Sequence, residues 1–429
     1  MCAIAAIYNY HYAAPEVNRK ELCAIRDHMS ARGPDGKGAW FSKNGKIGLA
    51  HQRLSIIDIN ERAAQPMSST DGQCVISFNG EIYNYKALRQ QLESQGIQFR
   101  TQSDTEVLLH LYKQKGVAML SELRGMFAFA LWDAKKNKLL LARDPYGIKP
   151  LYYADDGWTV RVASQVKALL AGGKISSSIE PAGITGFLLF GSVPEPYTIY
   201  QQIRAVPAGS FIWVDEIGTH TPEHYFSLAK VFCQAIENPQ AFNQEAASEA
   251  LLDSVSHHLV ADVPVGAFLS SGVDSGALVA LMKDAGQKDI QTVTLAFEEF
   301  QQQHRNEAPL AAEIAKRYDT QHTTRIVTEA EFVAELPKIL AAMDQPSIDG
   351  INTWFVSKAA KELGLKVAVS GLGGDELFGG YPAFFDIPRW VKQLSMPAKI
   401  PFIGDIIQKL STTFITPYSS LSPKMAGMT

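Results

Sequence analysis

A cysteine stands at position 2, in MCAIAAIYNY, where removal of Met1 would make it the first residue. A cysteine at a frayed chain end packs nothing, so its chemistry has to be considered. With Met1 gone, Cys2 would carry a thiol and a free α-amine, and an amine titrating near ~8 can serve as general base to its own side chain. Such a nucleophile still needs an oxyanion hole, a site for the charged groups of its substrate, and a fold that buries the chain start.

Several later segments could meet those needs. In FNGEIYNY, Asn79 and Gly80 follow a strand pattern, so an amide side chain and an unhindered N–H could face one oxygen; Asn-Gly is equally the signature of a hairpin turn. Arg53 lies inside the apolar pattern HQRLSIID, where an unpaired guanidinium is costly and calls for an anionic partner or ligand. Asp104 in TQSDTEV reads as a helix N-cap or as a holder of an ammonium. Farther on, FLSSGVDSG leaves a strand and opens a helix, which would turn serine hydroxyls and backbone N–H groups toward a phosphate, or merely cap the helix. It is not a Walker A loop, because no Gly-Lys-Ser/Thr follows. VAVSGLGGDELFGGYP repeats the design and adds Asp375 and Glu376, hard oxygen donors suited to Mg²⁺.

Two kinds of element have to position these groups. Up to about Phe211, KIGLAHQRLSIID, CVISFNG, GMFAFALWD, NKLLLARD and GWTVRVAS predict strands, while YKALRQQLESQG and SDTEVLLHLYKQKG predict helices ending at glycine. Antiparallel strands with a few covering helices is the economical packing. EIGTHTPEHYFSLAKVFCQAIENPQAFNQ has mixed composition and turn residues at both ends, so the domain junction is expected there. Strand and helix then alternate: VGAFLSS, GALVALMKDAG with Leu278, Leu281 and Met282 on one face, IQTVTLAF, EAPLAAEIAKRYD with Leu310, Ile314 and Arg317 in register, HTTRIV, TWFVSKAAKELG and LKVAVSG. Such alternation implies βαβ units and a parallel sheet whose ligands sit beyond the carboxyl ends of its strands.

With 429 residues and 46% hydrophobic content the chain can bury more than one core, and a net charge of −4 with no dense basic stretch disfavours nucleic acid as main partner. The start lacks a signal peptide's basic and apolar regions, and no apolar run reaches a membrane span, so a cytoplasmic protein with no membrane partner is expected. The four cysteines, Cys2, Cys23, Cys74 and Cys233, form no C-x-x-C pair, which disfavours a zinc site or a disulfide framework.

Cys2, RGPD, HQRLSIID, FNGEIYN, SDTEV, GMFAFALWD and RDPYGIKPLYY, in this order, resemble the class II, N-terminal-nucleophile glutamine amidotransferase domain. The resemblance implies an α+β four-layer αββα sandwich, the fold of the N-terminal-nucleophile hydrolases, that converts glutamine to glutamate and ammonia. On it, Cys2 attacks the side-chain amide, Asn79 and the Gly80 N–H stabilise the oxyanion, Arg53 clamps the α-carboxylate, and Glu81 and Asp104 take the ammonium. Ala31 precedes RGPD where many relatives have histidine.

FLSSGVDSG resembles the S-G-G-x-D-S pyrophosphate loop of ATP pyrophosphatases, with Ser271 in place of the middle glycine. Together the two loops resemble the α/β parallel-sheet synthetase domain of glutamine-hydrolysing asparagine synthetases. That implies that Leu295 lines the adenine pocket, that Ser270, Gly272, Asp274 and Ser275 hold phosphates and metal, that Ser370 and Gly371 contact the nucleotide, and that Asp375 binds Mg²⁺ beside Asp274. Two departures stand out. Leu372 occupies the glutamate position of the family's S-G-E-G, and the chain stops at Thr429, before the family's phosphate-binding lysine and PFLD segment, so the chain as given is expected to hydrolyse glutamine yet form little asparagine, while full turnover would mean that another cation, Lys358 or Lys361, takes over that role.

The expected organisation is a glutaminase domain over 2–215, a junction over 216–245 and an ATP-binding domain over 246–429, incomplete at its C-terminal end. The implied activity is amidation of aspartate to asparagine with glutamine, ATP and Mg²⁺, through an acyl-adenylate. Alternatives are an amidotransferase acting on another small or sugar-linked carboxylate, or a glutamine- and ATP-binding module with glutaminase activity only. A β-lactam-forming relative is disfavoured because Cys2 is retained. A homodimer is left open.

Overall fold

Side-chain alternation along the Ala3–Tyr8 strand sets the layering of the first domain. In the computed structural model, which describes residues 1–301 and 306–395, Ala3, Ala5 and Ile7 pack with a helix layer, whereas Ile4, Ala6 and Tyr8 pack against a second sheet. Six antiparallel strands form the first sheet, in the order Arg204–Ala205, Tyr152–Asp155, Val160–Ala163, Ala3–Tyr8, Ile47–Arg53, Gly36–Phe41. The second runs Gly218–Thr219, Ser210–Asp215, Lys138–Arg143, Gly125–Asp133, Cys74–Ile82, Met67–Ser68, with Glu223–His224 also paired to Ser210–Asp215.

Helix Arg19–His28, through Leu22 and Ile25, and helix Val166–Ala171, through Ala168 and Leu169, cover the first sheet. Helices Tyr85–Ser94 and Asp104–Lys115 cover the second with Leu88, Leu92, Val107 and Leu108. The result is an αββα sandwich. Because each sheet is covered on both faces, the run Phe127 to Leu131 is buried at every position, which is why its sequence is continuously apolar.

The second domain carries an all-parallel sheet in the order Gln321–Val327, Gln291–Phe297, Val265–Phe268, Val367–Val369. Helices Gln244–His258, Val273–Asp284 and Ala308–Arg317 share one core through Val255, Val279 and Ala311, while Glu329–Ala342 and Gly350–Glu362 share another through Ile339 and Phe355. In Ala308–Arg317 the expected face is rotated: Ala311 and Ala315 are buried with Ile314 beside them, and Leu310 is exposed. Small side chains let this helix approach the sheet closely.

From Val265–Phe268 the chain winds outward through two strands, then returns to pair Val367–Val369 on the other side of the same strand. The winding therefore reverses between these two strands, and a doubly wound sheet opens a crevice at the carboxyl ends of such a pair.

Between the sheets' last strands and the second core lies helix Leu228–Glu237, capped by Ser227, within the stretch expected as the junction. Contacts between the domains include Lys366 Nζ to Asp35 Oδ2 at 2.7 Å and an ion pair of Arg124 with Asp253. No described helix is long and apolar enough to cross a membrane. Residues 396–429 lie outside the described residues, and with them the expectation about the chain's C-terminal end.

Candidate functional sites

Extending the alternation of Ala3–Tyr8 back by one step points Cys2 into the space between the two sheets. Its Sγ accepts from the Leu54 N–H at 3.3 Å and lies 3.5 Å from the Leu54 carbonyl. Burial pushes the thiol up from its usual range, and burial pulls the terminal amine down to about 6. Arg32 holds this end of the chain twice: its Nε donates to the Cys2 carbonyl at 3.1 Å, and its own carbonyl accepts from the terminal amine at 2.9 Å.

Asn79 and Gly80 are not a turn, nor do they follow a strand. They sit within Cys74–Ile82, paired with Ala128 and Phe127 of the neighbouring strand. In that strand Ser77 bonds across to the Ala50 carbonyl of the first sheet at 2.9 Å, so Asn79 and Glu81, of the same parity, also face the space between the sheets. Asn79 is 1% exposed, and both of its amide atoms are buried with no protein partner. Leaving a buried amide unpaired costs roughly 1–3 kcal/mol, which a purely structural position would not sustain.

A single cavity is lined by Cys2, Arg53, Gly80, Glu81 and Asp104, among others. Arg53 ends its strand and is held by backbone carbonyls, Nη1 on Asn60 O at 2.9 Å and Nη2 on Asp58 O. No carboxylate neutralises it through an ion pair among the described residues. Glu81 Oε2 is buried without a hydrogen bond and lies 3.8 Å from Lys149 Nζ. Ser103 is the N-cap of Asp104–Lys115, so Asp104 is not the cap: it is the first helical residue, accepting from the Ile82 N–H at 3.0 Å. Burial pushes its carboxyl up to about 7, with the charge of Glu81 adding to the shift.

The second cavity, of about 530 Å³, opens where the winding reverses. It is lined by Ser270, Gly272, Asp274, Ser275, Leu295, Ser370, Gly371 and Asp375 together, as well as Leu372, Glu376 and Tyr381. Ser270 follows Val265–Phe268, and the loop folds on itself: Ser270 Oγ lies 2.9 Å from Ser275 Oγ and accepts from the Gly272 N–H at 3.1 Å. Gly272 then caps helix Val273–Asp284. The second loop packs directly on this turn, since a Cβ at Gly371 would stand 2.8 Å from the Ser275 nitrogen and one at Gly374 2.3 Å from the Asp274 Cγ.

Among the described residues no group of three or more His, Cys, Asp or Glu is arranged to hold a metal by itself. Asp274 and Asp375 both line the cavity and carry hard oxygen donors of the kind that Mg²⁺ takes when phosphates complete its shell. Lys358 is committed elsewhere, 2.7 Å from Glu331 and 3.2 Å from Glu335.

Sequence reasoning assigned nothing to Arg32 or Lys149, although both lie in the quoted segments RGPD and RDPYGIKPLYY. Their signal was a cation inside an otherwise apolar or turn-forming motif.

A family model described as a glutamine amidotransferase domain matches residues 1–226, and one described as asparagine synthase matches 246–423. Asparagine synthetase [glutamine-hydrolyzing] 1 of Bacillus subtilis is 38% identical over 384 residues, covering 89% of this chain and 59% of that protein. Asparagine synthetase B of Escherichia coli is 33% identical over 404 residues, covering 91% and 66%. The chain thus spans less than two thirds of the length of either. Asparagine synthetase [glutamine-hydrolyzing] 3 of Bacillus subtilis is 30% identical over 433 residues, covering 95% of this chain and 68% of that protein. Similarity that runs through both domains in one order, and nearly from end to end, makes this chain a member of the glutamine-hydrolysing asparagine synthetase family.

Proposed function

We propose that the chain hydrolyses glutamine at Cys2 and uses the ammonia to amidate aspartate, activated by ATP in the second domain. The observation that carries the reading is the Asn79 amide, buried with both polar atoms unpartnered on the face that Cys2 also faces. Cys2 attacks the side-chain amide of glutamine, and its own α-amine takes the thiol proton. Asn79 and the Gly80 N–H stabilise the oxyanion. Arg53, already aimed by two carbonyls, clamps the α-carboxylate, and Glu81 with Asp104 binds the ammonium, whose charge favours the ionised form of Asp104.

In the second cavity Ser270, Gly272 and Ser275 cradle the phosphates of ATP, Leu295 borders the adenine, and Ser370 with Gly371 flanks the nucleotide. Asp274 and Asp375 would hold Mg²⁺, which offsets charge on the departing pyrophosphate. The aspartate carboxylate displaces pyrophosphate to give an acyl-adenylate, and ammonia then displaces AMP. Leu372 supplies neither a base nor a cation ligand, so a different small carboxylate as acceptor is the second reading.

The test is production of pyrophosphate, AMP and asparagine from ATP, aspartate and glutamine. Formation of all three supports the reading. Glutamate release with neither pyrophosphate nor an amide product from any carboxylate offered overturns the ligase half. Arg53→Lys is expected to raise KM for glutamine about tenfold with a smaller change in kcat, because an ammonium cannot reproduce a bidentate clamp. An unchanged KM assigns Arg53 a purely structural role.

A further inference from the structure

Every second N–H of strand Cys74–Ile82 turns away from its neighbour Gly125–Asp133. The phase is set just past the strand's end, where the Tyr83 N–H donates to the Arg124 carbonyl at 2.7 Å, so residues 79 and 81 also bond to the neighbour while 78, 80 and 82 face the opposite edge. Phe127, the cross-strand partner of Gly80, agrees with this phase. Its N–H donates to the Asp144 carboxylate and its carbonyl accepts from the Asp144 N–H, on the side away from Gly80. On the opposite edge of Cys74–Ile82, strand Met67–Ser68 pairs only with Val75 and Ile76.

Beyond Ile76, side chains take the place of a strand. Gln65 Oε1 accepts from the Phe78 N–H at 2.7 Å, His51 Nε2 donates to the Phe78 carbonyl at 2.9 Å, and Asp104 Oδ2 accepts from the Ile82 N–H at 3.0 Å. Between these closed positions, the Gly80 N–H donates to no protein group among the described residues. The two flanking acceptors are joined to each other. Gln65 Nε2 donates to the Thr105 hydroxyl at 3.3 Å, and Thr105 follows Asp104 in the first turn of helix Asp104–Lys115. Gln65 is buried and lines the same cavity as Cys2, Phe78, Gly80 and Asp104.

We infer that Gln65 is a positioning residue for the oxyanion site: by tying the Phe78 end of this edge to the helix, it keeps the Gly80 N–H open and aimed at the oxygen that becomes negative. Gln65 has this role only if Cys2 hydrolyses glutamine as proposed above. Its effect falls on the step that forms the tetrahedral oxyanion, because its carboxamide is committed to Phe78 and Thr105 and leaves glutamine to other groups.

The test uses the full chain and two reactions of one thiol. Glutamine hydrolysis passes through a tetrahedral oxyanion; alkylation of Cys2 by iodoacetamide, located by mass spectrometry of the N-terminal peptide, is a displacement that does not. Gln65→Met, similar in length but with a thioether that is a poor acceptor, is expected to lower kcat for glutamate release about tenfold, with KM and the alkylation rate each within about twofold of the wild type. Gln65→Glu keeps an oxygen on the Phe78 N–H whether ionised or not, and the Thr105 hydroxyl can turn to donate to it, so kcat should return to within about threefold of the wild type.

Wild-type kcat in Gln65→Met overturns the inference, as does a Gln65→Glu variant equally slow. A rise in KM at unchanged kcat overturns it too, since that makes Gln65 a ligand of the substrate. So does an equal fall in hydrolysis and alkylation, the mark of a generally disturbed site. Should Gln65→Met fail to fold, Thr105→Val removes only the hydroxyl that anchors Gln65 and is expected to lower kcat about threefold at unchanged alkylation rate; an unchanged kcat there overturns the inference equally. A wild-type chain that releases no glutamate sinks the glutaminase reading and this role with it, whereas release by the wild type and by Gln65→Met at the same rate sinks this role alone.

Discussion

Cys2→Ala is expected to lower glutamine hydrolysis at least ~10³-fold and to leave ammonia-supported pyrophosphate formation from ATP and aspartate intact. Cys2 is the cysteine that lines the first cavity; Cys23 and Cys74 belong to other parts of the sandwich, and Cys233 is exposed on the helix after it. The thiol is pushed up by burial and so needs a base, and burial also pulls the Met1 terminal amine down to about 6 at this end of the chain. With Met1 removed, the Cys2 α-amine is the base proposed for this thiol. Glutamate release by the alanine variant, or a mature chain that keeps Met1 and still hydrolyses glutamine, overturns the assignment.

Asn79→Leu is expected to reduce glutaminase kcat by about 10²- to 10³-fold with little change in KM, the signature of a lost oxyanion donor. Thermal stability should stay level or rise. Leucine has a similar volume and removes an amide whose two polar atoms are buried without partners, so the folded state sheds a desolvation cost. Activity and stability moving in opposite directions separates a functional group from a structural one. A large drop in melting temperature with kcat preserved makes Asn79 structural.

The strands and helices were legible because their apolar runs are long and bounded by glycine and polar turns; Gly125–Asp133 and Gln291–Phe297 match the expected segments closely. What misled was local chemistry read without its tertiary partner. Asn-Gly suggests a hairpin, yet at 79–80 both residues continue a strand, because Gly125–Asp133 pairs alongside and prevents a turn there. Asp104 looked like a cap by composition, but Ser103 has the shorter side chain at the correct offset and leaves Asp104 to be buried against Ile82. Leu310 looked like a core residue, but the close approach of its helix favours alanine on the buried face. The residues of the second cavity come together in space because two Ser-Gly turns each follow a strand, and adjacent parallel strands bring their carboxyl ends together. Asp262 and Asp344 were beyond reach, since their bonds to the backbone of Asp58 and of Val166 and Lys167 arise only where the two domains meet.

The contact of Gly371 and Gly374 with the Ser270–Ser275 turn divides the second cavity into parts with different freedom to change over evolution. A side chain at Gly371 would collide with the backbone of the turn at 2.8 Å, so that position cannot vary without moving the turn, whereas one at Gly374 would meet the Asp274 carboxylate at 2.3 Å and displace that side chain. Leu372 stands between them in the chain, yet it is 87% exposed and reaches into the cavity from outside that joint. Substitution there alters the cavity's lining and leaves the packed turn as it was. On the proposed function, the fold then leaves the position that would face the acceptor free to change while the turn that would hold the nucleotide stays as it is.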